Sequence, residues 1–220
     1  MDRPSLGMRA SEAFGGWCLR RLASTIIVEG LENIPQSGSA ILASNHISWV
    51  DPVFLACWLT PATGRPITWM GKSEAMRWPI VGTFLRVNGV FGVKRGQADL
   101  EAFRLAEAAL RSGGLLGIYP EGTRSKNGRI NRFHDGAGLL ALRSGAPLIP
   151  VAVSGTERLW APGAILPRRV RSIKLVIGKP LQLSAKPGER LTPVVVTARL
   201  HEAVNALLPD AYRAEASSGG

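Results

Sequence analysis

Between Thr25 and Ile177 the chain alternates short apolar runs with helical stretches, and this alternation limits the fold more than any other feature. Thr25 to Gly30 (TIIVEG), Ser39 to Asn45 (SAILASN) and Pro66 to Lys72 (PITWMGK) are short, apolar and bounded by turn residues, so they read as strands. Val90 to Val93, Leu115 to Pro120 (LLGIYP), Pro147 to Gly155 (PLIPVAVSG) and Ser172 to Ile177 read the same way. Helices are expected over Asp51 to Leu59, Glu74 to Leu85, Ala98 to Arg111, Gly136 to Arg143 and Pro193 to Leu207. Pro52 suits a first helical turn, whereas Pro79 interrupts the second helix. In the third, Leu100, Phe103, Ala106 and Leu110 share a broad apolar face, and Ser112-Gly113-Gly114 ends it.

Strands alternating with helices imply an α/β domain: a mixed, mainly parallel sheet with helices on both faces. The 220 residues fit a single such domain, with no internal repeat, low-complexity tract or dividing linker. We expect residues 1–24 to form an amphipathic helix contacting a membrane interface, residues 25–212 the α/β domain, and residues 213–220 a flexible tail.

Hydrophobic residues make up 45% of the chain, too many for disorder. Twenty-seven basic against 16 acidic residues leave a net charge of +11, a field that attracts anions. Nucleic acid, anionic lipid and phosphorylated small molecules all fit that charge. Cys18 and Cys57 alone cannot form a disulfide framework or a four-cysteine metal site, and they read as reduced thiols. Glu12, Arg20 and Arg21 break up the one stretch where a secretory signal could lie. No run approaches the roughly 18 apolar residues of a spanning helix, so membrane contact is expected to be peripheral.

Four blocks carry candidate chemistry. The first, Asn45-His46-Ile47-Ser48-Trp49-Val50-Asp51, falls where an apolar strand gives way to a helix, the place where open α/β sheets bind ligands. Asp51 can accept one ring N–H of His46, fixing the tautomer and leaving the other nitrogen as a base. It can equally cap the following helix. The second block, Gly89 to Gly96, ends in Lys94 and Arg95. Arg95 is either a phosphate ligand or a solvated charge. The third, Tyr119 to Ser125, offers Gly122 for close backbone approach and Arg124 for bidentate phosphate contact, or else is a polar turn with a Glu121–Arg124 surface pair. The fourth, Leu148 to Gly155, holds Pro150 inside an apolar strand, which argues for a sheet edge or a bulge.

In this order the blocks resemble the glycerolipid acyltransferase superfamily typified by 1-acylglycerol-3-phosphate acyltransferases. His46 and Asp51 match its first block, Gly89 and Arg95 its second, Tyr119 to Arg124 its third and Pro150 its fourth. Lys94 stands where relatives often carry an acid, and the long hydrophobic anchors of many relatives are missing from this sequence. The resemblance implies that His46 takes a proton from the acceptor hydroxyl while Asp51 orients it. The hydroxyl then attacks the thioester of acyl-CoA or acyl-carrier protein. It assigns Arg95, Glu121, Gly122, Thr123 and Arg124 to the glycerophosphate; Lys72 or backbone N–H groups near the motif turns are candidate oxyanion donors. No metal and no cofactor beyond the acyl donor is expected, and Ser48 is not used as a nucleophile. The acceptor it implies is lysophosphatidic acid, giving phosphatidic acid at the cytoplasmic face of the cell membrane. Glycerol 3-phosphate, a lyso-ornithine lipid or another lysophospholipid are the alternatives.

Residues 8–22 can place Met8, Phe14, Trp17, Cys18 and Leu22 on one side and Arg9, Arg20 and Arg21 on the other, as interfacial helices do, or can pack on the core. Trp58, Met76, Trp78 and Phe84 are candidates for an acyl-chain groove. Arg168, Arg169, Arg171 and Lys174 form a basic cluster with no aromatic among them, which argues against nucleic acid and for anionic headgroups or an acidic carrier.

Overall fold

The computed structural model describes residues 4–72, 83, 85–93, 100–160, 166–185 and 190–214. Their strands are β1 (Ala23–Glu29), β2 (Ala40–Ser44), β3 (Ile67–Lys72), β4 (Val90–Val93), β5 (Leu115–Ile118), β6 (Leu148–Ser154) and β7 (Val170–Ile177). They form one sheet in the order β1-β7-β6-β2-β5-β3-β4. Every neighbouring pair is parallel except β6 and β7. The helices are α1 (Leu6–Leu22), α2 (Asp51–Thr63), α3 (Leu100–Arg111), α4 (Gly136–Ser144), α5 (Thr156–Leu159) and α6 (Pro193–Leu207).

Successive strand residues point to opposite faces, so a strand buried at every position is covered on both sides. β2 and β6 are buried at every position, which places them at the centre of the core and explains their unbroken apolar runs. β1, at one edge, alternates between sheltered and exposed positions instead.

The expected elements recur with small shifts. α2 continues through Pro61 to Thr63, four residues beyond the expected end, and stops where Gly64 turns left-handed at φ 66°. The helix expected over Glu74 to Leu85 lies almost wholly outside the described residues. Pro150 is not at a sheet edge: β6 has β2 on one side and β7 on the other. The proline is tolerated because the paired register with β7 runs only from Val151 to Ser154. Beside it, the Gly178 N–H donates to the Pro150 carbonyl at 2.8 Å.

The parallel directions of β2, β5 and β6 bring their C-terminal loops to one edge of the sheet. Residues 45–50, 119–125 and 155–156 meet there, although more than a hundred residues of chain separate the first from the last.

Candidate active site

Asp51 is the hub of this edge. It is fully buried at the first turn of α2, where the helix dipole favours negative charge. A buried carboxylate is stable only when its lone pairs are occupied. Here Oδ2 accepts from His46 Nδ1 at 2.9 Å and from the N–H groups of Ile47 and Ser48 at 2.8 Å each. Oδ1 accepts from the Thr156 hydroxyl at 2.5 Å. Asp51 therefore organises the loop before its own helix rather than capping it.

With Nδ1–H donated to Asp51, the lone pair of His46 sits on Nε2. The imidazole stacks on Tyr119 with ring centroids 4.1 Å apart, and Tyr119 stacks in turn on Trp69 at 5.6 Å. Gly117 makes the stack possible, since a Cβ there would collide with the Trp69 ring. The Tyr119 phenol is pushed well above its ordinary range, first by burial and then by Asp51. Ser48 is buried, and its Oγ accepts from the Val50 N–H at 3.3 Å.

The third block reaches His46 through its backbone. Glu121 is buried, with Oε1 accepting the His46 N–H at 2.8 Å and Oε2 accepting the Asn131 backbone and side-chain N–H groups at 3.2 and 2.8 Å. Both oxygens are thus engaged inside the protein, in a brace that holds the histidine loop, and not in the surface pair with Arg124 that the sequence offered as an alternative. Burial lifts the Glu121 carboxyl to about 7 against the pull of these donors. The Ser125 N–H donates to the His46 carbonyl at 2.7 Å, a second tie between the loops. Gly122 adopts φ 67°, a left-handed turn that suits glycine, with the His134 ring alongside. The Arg124 guanidinium lies over the Trp49 ring, 4.0 Å from its centroid.

A cavity of about 500 Å³ opens beside His46. Thr123 and Arg124 line its mouth together with Trp49, while α2, Trp69 and Met70 supply an apolar wall. Of the expected groove residues, Trp58 instead packs edge-on against Phe54 with Arg20 above it. Met76, Trp78 and Phe84 lie outside the described residues, as do Lys94 and Arg95. Lys72 ends β3, on the same sheet edge as His46, but its side chain lies outside the description.

The family model described as acyltransferase matches residues 25–154, more than half of the chain. The chain belongs to the acyltransferase family. It is 30% identical over 159 residues to a chloroplastic 1-acyl-sn-glycerol-3-phosphate acyltransferase of Arabidopsis thaliana, covering 71% of this chain and 43% of that protein. Over 145 residues it is 32% identical to a lyso-ornithine lipid O-acyltransferase of Pseudomonas aeruginosa, covering 63% and 52%. It therefore spans about half the length of these relatives. The crystal structure of the 1-acyl-sn-glycerophosphate acyltransferase of Thermotoga maritima superposes with a TM-score of 0.72 at 25% identity, covering 91% of this chain and 79% of the other.

The family's matched region ends at Ser154, two residues before Thr156, and sequence reasoning missed that residue. Its hydroxyl acquires meaning only when β6 folds beside β2. Asn131 was missed for the same reason, its partner Glu121 lying ten residues earlier in a loop without periodic pattern.

Proposed function

We propose that the protein transfers a fatty acyl group from acyl-CoA or acyl-carrier protein to the free hydroxyl of lysophosphatidic acid, forming phosphatidic acid. The observation that carries this reading is the oriented His46–Asp51 pair at the head of an apolar groove, with Arg124 at the same mouth. The acceptor hydroxyl attacks the thioester carbonyl as its proton passes to His46 Nε2. Collapse of the tetrahedral intermediate breaks the C–S bond, and His46 returns the proton to the departing thiolate. Asp51 supports the imidazolium between these steps, and the acyl chain lies along the groove. Arg124 holds the acceptor phosphate with its fork of N–H donors.

The His46–Asp51 pair and the groove serve a lyso-ornithine lipid acceptor as well, with Arg124 then facing the ornithine carboxylate in place of a phosphate, and the likeness to the Pseudomonas aeruginosa protein favours keeping that second reading. Purified protein given one radiolabelled acyl chain, both as acyl-CoA and as acyl-carrier protein, with a panel of acceptors tests both. Label in phosphatidic acid supports the first reading, label in ornithine lipid the second, and no label in any acceptor refutes acyl transfer.

The reaction is read as occurring with the protein lying on the cytoplasmic face of the cell membrane. Among the described residues no helix is long and apolar enough to cross a bilayer. On α1, Leu6, Phe14 and Trp17 are 84%, 68% and 53% exposed, with Arg9, Arg20 and Arg21 on the same helix. The expected single stripe is corrected in detail, because Met8 turns inward with Glu12, Gly16 and Leu19 while Phe14 and Trp17 stack outward. Arg168, Arg169 and Arg171 also approach the active edge, since β7 begins beside the end of β6. Lys174, by contrast, is paired to Glu29 at 2.9 Å.

A further inference from the structure

The groove beside His46 is not apolar throughout. Glu12 of α1 stands in its wall, only 6% exposed. Glycines draw α1 tightly against α2: a Cβ on Gly15 would lie 3.0 Å from Cys57 Sγ and 3.1 Å from Val53 Cγ1. That approach holds Glu12, one turn earlier, against the same helix, with the Thr60 hydroxyl as its polar neighbour. Among the described residues no arginine, lysine or histidine forms an ion pair with it. Burial accordingly pushes its carboxyl upward. Ser11 and Asn88 line the same cavity, with Ser11 Oγ 2.8 Å from Asn88 Oδ1. A carboxyl in an apolar wall is costly unless something occupies its hydrogen-bonding capacity. Among the described residues no cation pairs with it, and on the acyl-transfer reading the cavity beside it holds a ligand chain.

We propose that Glu12, with Ser11 and Asn88, forms a polar subsite that recognises a hydroxyl carried on a fatty chain in the groove. The proposal deepens the acyl-transfer reading and rests on it. A hydroxylated chain donates to or accepts from the Glu12 carboxyl, whereas a plain chain of equal length leaves that carboxyl facing methylenes. Sites built to hydrogen-bond a substrate hydroxyl discriminate strongly against analogues that lack it. The chain can belong to the acyl donor or to the acceptor lipid, since both reach His46.

The test uses the full chain and two arms. In one, acyl donors of a single length, as acyl-CoA and as acyl-carrier protein thioesters, plain or with one hydroxyl at successive carbons, are offered with a plain lysophosphatidic acid. In the other, a plain donor meets acceptors whose resident chain is plain or hydroxylated. Discrimination on the order of tenfold or more in kcat/KM is expected in one arm, at the carbon that reaches Glu12. Glu12→Leu should reduce that ratio to about one by improving use of the plain chain, and Glu12→Gln should keep most of it because the amide still hydrogen-bonds. Glu12→Met provides a second apolar replacement of similar length if the leucine protein does not fold. Equal use or preference for plain chains throughout both arms overturns the subsite, as does a ratio that survives the apolar replacements. Those results leave acyl transfer standing, whereas an absence of transfer from every donor to every acceptor defeats the underlying reading.

Discussion

Thr156 offers a sharp test of the catalytic geometry because it lies outside the four blocks. Its hydroxyl donates to Asp51 Oδ1 at 2.5 Å across 105 residues of sequence, and both side chains are completely buried. Thr156→Val keeps the shape and deletes the donor, leaving Oδ2 with its three N–H partners. A hydrogen bond to a charged group contributes about 1.5–3 kcal/mol, and Oδ1 would be left buried without it. A loss near 2 kcal/mol should lower Tm by about 4–8 °C in a domain of this size. Turnover should fall less than on losing the base, because His46 Nδ1 still has its acceptor. If half or more of that energy supports the imidazolium in the transition state, kcat drops roughly tenfold with both KM values unchanged. Thr156→Ser should recover both quantities. Thermal melts and steady-state kinetics on the three proteins decide the matter. A Thr156→Val protein with wild-type Tm and kcat would show that the fourth donor to Asp51 carries no weight.

Further outcomes follow from the same geometry. His46→Ala should stay folded and lose about 10²–10⁴-fold in kcat, while near-normal turnover in a folded variant excludes His46 as the base. Arg124→Ala should raise the acceptor KM well above any change in donor KM; Arg124→Lys should rescue only in part, because lysine lacks the planar fork that lies over Trp49. Glu121 gives a pH test with a definite sign. Burial raises its carboxyl from 4.5 to about 7, so between those values the folded state holds a proton that the unfolded state has lost. Its contribution is full below pH 4.5 and gone above about 7, amounting to at most about 3 kcal/mol. Denaturant melts should show stability falling as pH rises through that window, and Glu121→Gln should flatten the slope; equal slopes refute the assignment.

The sheet was legible because α/β alternation is written in local pattern, and β2 and β6 announce their central places by being apolar at every position. The His46–Asp51 contact was legible for a related reason, since five residues across a single strand-to-helix turn leave few ways for the two to meet. The brace made by Glu121 was not legible, because a glutamate beside an arginine looks alike in sequence whether it faces solvent or a neighbouring backbone. Its inward orientation depends on the His46 N–H arriving from β2, a contact set by strand order alone. Pro150 misled for a comparable reason: its missing N–H forbids only continued pairing on one side, and β7 already ends its ladder there.

The N-terminal helix shows why local pattern could not settle between a membrane stripe and a core helix: the helix presents both. Met8, Glu12, Gly16 and Leu19 recur at helical spacing and face inward, while Phe14 and Trp17, three apart, stack on the outer face under Arg21. Deleting residues 1–22 would therefore remove a wall of the groove along with any membrane contact, and lost activity would not separate the two. Replacing Phe14 and Trp17 by serine leaves the inward face intact and isolates the outer one. Apolar insertion and basic attraction, the latter about 1 kcal/mol per residue near an anionic surface, act together on this helix. The double variant should float less with anionic vesicles, more so at high salt where the electrostatic share is screened. Its activity toward a short, soluble acceptor should change little, because Glu12 still lines the cavity beside His46. Undiminished flotation would move the membrane contact away from α1, toward exposed Trp49 and the arginines at the start of β7.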